Sequence, residues 1–195
     1  IVLSKFSDPY YNDFIIPTGN LREPKSGIKR AQIIIISKCP PELDINKRQE
    51  IIKKIAPLSH QKVFFTTIDY NHSLKGKDEI KIKDLVDSHI LLVTGIADSS
   101  ELEKFLKKNR ISFDHLMFND HHKYSDLDIN TIKSKSIDNK VVTTKKDYYK
   151  ITNNQSIDNI YYIDMKVKFL NDENNFKSEI LNTFKWCVFG LYKMI

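Results

Sequence analysis

"AQIIIISK", residues 31–38, decides the fold class. It holds four consecutive isoleucines, whose branched Cβ atoms restrict χ1 and favour extended backbone. A strand with one wet face would alternate apolar and polar side chains. An unbroken apolar run instead reads as a strand buried on both faces, as in a parallel sheet covered by helices. "CPP" (39–41) ends it, because proline has no N–H to give to a ladder. Working outward, "HILLVTGIA" (89–97) is a second such run, closed by a glycine turn. "IVLSKF" (1–6), "KVFFTTI" (62–68), "FDHLMF" (113–118), "KVVTT" (140–144) and "IYYIDMKV" (160–167) read as further strands.

The segments between them carry helical spacing. "DINKRQEIIKKIAPL" (44–58) offers Asp44 as a cap and Ile45, Ile51, Ile52 and Ile55 as one face. "SSELEKFLKKN" (99–109) has Ser99 or Ser100 as cap, with Leu102, Phe105 and Leu106 inward. "SDLDINTIKSK" (125–135) starts at Ser125 or Asp126, "KKDYYKI" (145–151) makes a helical turn, and residues 176–194 form a terminal helix, apolar over a wide face. Alternating strands and helices predict an α/β three-layer sandwich with a mostly parallel sheet.

The chain has 195 residues, 41% hydrophobic and 29% charged, enough for one domain with a real core or one domain with an appendage. No stretch approaches the roughly 18 apolar residues of a membrane span, and no charged-then-apolar leader opens the chain. It starts at Ile1, inside an apolar segment, the pattern of a piece cut from a longer chain. Cys39 and Cys187 stand far apart with no CxxC pair, against a zinc knuckle or disulfide framework and in favour of a reducing cytoplasm. A net charge of +6 favours anionic partners such as acidic lipids or phosphorylated substrates. The lysines are scattered and no aromatic–basic RNA motif occurs, so nucleic acid is not expected. A plain Lys- and Ile-rich composition explains the charge equally well.

Parallel sheets place ligands beyond the carboxyl ends of their strands. Three polar clusters fall there: Gly95, Asp120–His121, and Thr144 to Asp147. An imidazole beside a carboxylate suits a general base, because the carboxylate favours the cation and fixes the tautomer. The same residues also read as a solvent-facing turn. Thr144 reads as a helix cap whose amides attract anions, and Lys146 as a phosphate contact or a partner of Asp147; a solvated helix start is the alternative. "PTGNLREPKSG" (17–27) is a shaped loop in which Arg22 forks onto a phosphate or a carboxylate, and Glu23 onto a ribose or an arginine. No GxxxxGK[ST] or GxGxxG occurs. His60, His72, His89 and His115 have no metal-ligand spacing and read as structural or surface residues.

Four segments in order resemble the tetraacyldisaccharide 4'-kinase family, the lipid A 4'-kinases of Gram-negative bacteria. They are "IIPTGNLREPKSGIKRAQIIIISKCP", "LLVTGIADSSELEKFL", "FNDHHKYSDLDI" and "VVTTKKDYYKI". The resemblance implies ATP-dependent phosphorylation of tetraacyldisaccharide 1-phosphate to lipid IVA at the cytoplasmic face of the inner membrane, by a monomer using Mg2+. It implies that residues 1–29 end a P-loop domain and form a hinge, that 30–170 are a smaller α/β domain, and that 171–195 are a helix packing back. The Walker loops and most of the ATP and Mg2+ contacts would lie upstream of Ile1. His121, with Asp120 before it, falls on the family's "DH", whose histidine works with an aspartate of the P-loop domain, upstream of Ile1, to activate the sugar 4'-hydroxyl; Arg22 and Glu23 fall on "REP", near the hinge and nucleotide; Thr144, Lys146 and Asp147 fall on "TEKD". Lys145 stands where the family usually has Glu. Two other readings stay open: a metal-dependent phosphoesterase, whose "DHH" signature would need further aspartates such as Asp69 and Asp164, and a non-catalytic nucleotide- or lipid-binding module.

Overall fold

The computed structural model describes residues 1–137, 139–153 and 157–181. The chain divides into two compact units: residues 1–68 with 167–195, and residues 69–166.

In the first unit three strands run parallel: β1 (Val2–Lys5), β2 (Ile33–Ser37) and the start of β3 (Lys62–Lys75). The isoleucine run behaves as its chemistry dictates. Ile34 and Ile36 face Ile51 and Ile55 of α1 (Ile45–Ile55), while Ile33 and Ile35 face Phe64 and the side chains of Phe169, Phe176 and Ile180. Both faces are therefore dry, and a Leu- or Ile-to-Ala change in such a layer typically costs about 2–5 kcal/mol. Asp44 caps α1 by accepting from the Lys47 N–H at 2.7 Å. Ile45, expected on the apolar face, is 65% exposed, because it occupies the first helical position, ahead of the turn that packs. A further helix, α5, covers residues 173–181. The rest of the expected terminal helix, 182–195 with Trp186 and Cys187, lies outside the described residues.

The second unit is a sheet in the order β8 (Ile160–Phe169), β7 (Lys140–Thr144), β5 (His89–Thr94), β6 (Ser112–Met117), all parallel. Along β5 the side chains alternate between two buried layers. Ile90 and Leu92 meet Leu102 and Leu106 of α2 (Ser100–Lys108). Leu91 and Val93 meet Ile129 and Ile132 of α3 (Asp126–Lys135) and Ile151 of α4 (Lys145–Thr152). Helix, sheet and helix make the three layers.

One element has no counterpart in the sequence reading. β3 continues past Ile68 to Lys75, and Ser73–Lys75 pair antiparallel with a short strand, β4 (Glu79–Lys81). The polar run Asp69–Ser73 hides this strand, since its extended state is set by a ladder partner rather than by apolar periodicity.

Candidate active site

Three strand ends of the second unit meet in one polar corner. Its anchor is Asp147 in the first turn of α4, fully buried. Its Oδ2 accepts from the Gly95 N–H at 2.9 Å and from the Thr144 hydroxyl at 2.8 Å, and Lys150 Nζ stands 3.9 Å from Oδ1. Thr144 Oγ1 in turn accepts from the Asp147 N–H at 3.2 Å, closing the N-terminus of α4. Burial, and then the Asp147 carboxylate facing it, pushes the Tyr124 phenol well above its ordinary range. A carboxylate with no water access is stable only when donors surround it. Asp147 thus binds the turn after β5 to the start of α4.

The loop between β6 and α3 carries the second cluster. Asp120 Oδ1 accepts from the His121 N–H at 2.9 Å and lies 3.4 Å from Lys146 Nζ. Its Oδ2 lies 3.6 Å from His121 Nε2, a close contact but too long for a hydrogen bond. Desolvation works to raise the Asp120 carboxyl, but the His121 ring, the His121 N–H and Lys146 outweigh it, so the group lies below its ordinary range. His121 holds a left-handed backbone, φ 60°, an uncommon state for a residue with a Cβ. Its side chain is 80% exposed. The chain thus presents an imidazole to solvent beside an anion.

His122 behaves differently. Its ring stacks on Phe118 at 4.7 Å, meets Tyr124 edge-on at 5.1 Å, and its Nε2 lies 3.0 Å from Asp128 Oδ2. Asp128 also completes the capping box of α3 with Ser125. The sequence shows two adjacent histidines; packing makes one a presented group and the other a structural one.

Arg22 and Glu23 belong to the first unit, before a 3-10 turn at Lys25–Arg30. Arg22 is exposed, and Glu23 makes a close ion pair with Arg30. Asp13 organises this loop by accepting from the N–H groups of Phe14 and Asn20. Gly19 packs against Asp13 so closely that any Cβ would collide. Glu23, Lys25, Gly27 and Arg30 border a cleft of about 370 Å³ floored by Leu21, Ile28 and Ala31. Lys145, the departure from the expected Glu, lies 3.6 Å from Asp164 and over the Tyr162 ring at 5.9 Å. Asp164 is therefore engaged by a cation, unlike a free metal-ligating aspartate.

A family model described as tetraacyldisaccharide-1-P 4'-kinase matches residues 1–185. The chain belongs to the tetraacyldisaccharide 4'-kinase family. It is 38% identical to the tetraacyldisaccharide 4'-kinase of Flavobacterium johnsoniae over 186 residues, covering 95% of this chain and 54% of that protein. It is 30% identical to the protein of the same name from Bacteroides fragilis, covering 93% and 53%. The crystal structure of LpxK from Aquifex aeolicus in complex with ATP superposes with a TM-score of 0.60 at 24% identity, over 92% of this chain and 50% of that one, which supports the fold. The chain thus spans about half the length of these 4'-kinases. Family membership favours the kinase reading over the phosphoesterase alternative.

Proposed function

We propose that this chain supplies the acceptor side of an ATP-dependent kinase that phosphorylates the 4'-hydroxyl of tetraacyldisaccharide 1-phosphate, giving lipid IVA. The observation that carries the reading is the presented His121 imidazole beside the low-pKa carboxylate of Asp120. His121 takes the proton of the attacking 4'-hydroxyl, and Asp120 stabilises the resulting imidazolium. The O4'–phosphorus bond forms as the bond from phosphorus to the departing diphosphate oxygen breaks. Lys146 holds Asp120 in place and adds positive charge where phosphate oxygens gather.

ATP, when bound, supplies the transferred phosphoryl group. Each unit carries its own exposed cationic donor that fits phosphate oxygens, Lys146 at the rim of the second and Arg22 in the first, where Glu23 follows it in the chain and pairs with Arg30. No phosphate-cradling loop occurs among the 195 residues. Thr144 and Asp147 serve the rim indirectly, by fixing the start of α4. Among the described residues no group of three His, Cys, Asp or Glu is placed to hold a metal; Mg2+ would be held mainly with the ATP phosphates outside these residues, where it would neutralise phosphate charge.

Among the described residues no helix is long and apolar enough to cross a membrane. The +6 charge supports attachment of a monomer to the anionic face of the inner membrane, which salt-sensitive flotation with anionic vesicles tests. The reaction itself is tested with the intact enzyme, tetraacyldisaccharide 1-phosphate and γ-labelled ATP. Label is expected at the 4' position; release of inorganic phosphate alone contradicts the reading.

A further inference from the structure

A second chain of polar contacts crosses the α2 side of the sheet. Ser99 Oγ donates to Glu103 Oε1 at 2.8 Å, and the same oxygen lies 3.4 Å from His115 Nδ1. His115 Nε2 lies 2.8 Å from Thr94 Oγ1. Thr94 is fully buried, and the His115 side chain is 14% exposed. Polar groups this close to an apolar layer persist only when partnered. The chain ends on a residue with two further duties. The Thr94 carbonyl accepts from the Phe118 N–H at 2.7 Å, the bond that fixes the strand end just before Asp120 and His121. Gly95, which follows, donates its N–H to Asp147. The peptide of Thr94 therefore sits between both halves of the rim.

We infer that Glu103 and His115 are positioning residues for the rim: they orient Thr94, and through it the loop that presents Asp120 and His121, with the charge of His115 as the control point. The catalytic consequence rests on the kinase reading; the geometric coupling does not. In the neutral ring, Nδ1–H faces Glu103 and Nε2 accepts from the Thr94 hydroxyl. Protonation makes Nε2 a donor. Thr94 must then accept, and its own proton needs a new acceptor at a fully buried position, a costly reversal. Burial pulls the His115 pKa below its ordinary value, with Glu103 opposing, so the neutral arrangement holds at neutral pH and inverts on acidification. The groups facing the ring are Glu103 from α2, Thr94 from β5, and the edge of Phe113 on β6 itself at 6.2 Å.

The test follows the Gly95 and Phe118 amides of the intact enzyme by NMR across pH, together with the His115 ring. Both amides are expected to titrate with the ring. In His115→Gln, which keeps a polar tip without a titrating proton, that transition is lost, while His121→Ala retains it. In turnover, Thr94→Val is expected to lower kcat about tenfold with the KM for ATP unchanged, the size of a small misplacement of catalytic groups, and Thr94→Ser to restore it. Amides that stay flat while the wild-type ring titrates, or wild-type kcat in Thr94→Val, overturn the inference. The amide readout needs no turnover, so an intact enzyme without 4'-kinase activity would defeat the functional reading and leave the relay to be judged by its amides.

Discussion

His121 and His122 are neighbours in sequence with opposite duties. His122 joins a stack with Phe118 and Tyr124 and a hydrogen bond to the Asp128 carboxylate, so His122→Ala is expected to cost about 1–2 kcal/mol of stability, from one aromatic contact and one hydrogen bond to a charged acceptor. A denaturation midpoint unchanged from wild type contradicts this. Asp147→Ala is expected to cost more, roughly 3 kcal/mol, because it strands the buried Gly95 N–H and the Thr144 hydroxyl. A chemical denaturation curve reads the loss directly, and a change below about 0.5 kcal/mol, the usual range of surface positions, would show Asp147 to be dispensable. The Asp120–His121 contact was legible from adjacency in the chain. The role of Asp147 was not: "TTKKDYYK" looks like a solvated helix start until Gly95 and Tyr124, far away in sequence, close over it.

The turn after β5 illustrates how one small residue serves a whole element. A Cβ on Gly95 would lie 3.0 Å from Tyr124 Oη and 3.1 Å from Asp147 Oδ1, tight against two groups with little freedom to retreat. Gly95→Ala is expected to destabilise by about 1–3 kcal/mol, as overpacking of a close-fitted site does. A neutral midpoint would show that Tyr124 yields. The elements themselves were readable wherever burial imposes a pattern: β2 from its isoleucines, α2 from Leu102, Phe105 and Leu106, α1 from the Asp44 cap. β4 and the far end of β3 were not, because Asp69–Ser73 carry no apolar rhythm, and Ser73–Lys75 are held extended by pairing with β4. Ile45 failed for a related reason: helical phase places it on a face, but it sits in the first turn, ahead of the buried Ile51 and Ile55.

Across the molecule, stability should fall in two steps as pH drops. The pKa of His115 is lowered by burial from its ordinary 6.5, so the native state binds fewer protons than the unfolded chain. That contribution is complete above about 6.5 and disappears as pH falls through the folded value. The carboxyl of Asp128 is lowered by the Ser125 N–H and hydroxyl and by His122, so its contribution is present above the ordinary 3.8 and is lost further down. Denaturation midpoints at pH 7.5, 5.5 and 3.5 should decline in that order, with His115→Gln lacking the first step. A midpoint constant from pH 7.5 to 5.5 contradicts the His115 part. The central claim is narrower: an exposed imidazole, held beside an anion, deprotonates a sugar hydroxyl. It is tested most directly by kcat of His121→Ala in the intact enzyme with saturating ATP and disaccharide. A fall of about 10²–10³-fold, the usual contribution of a general base, is expected; a kcat within a few-fold of wild type contradicts it.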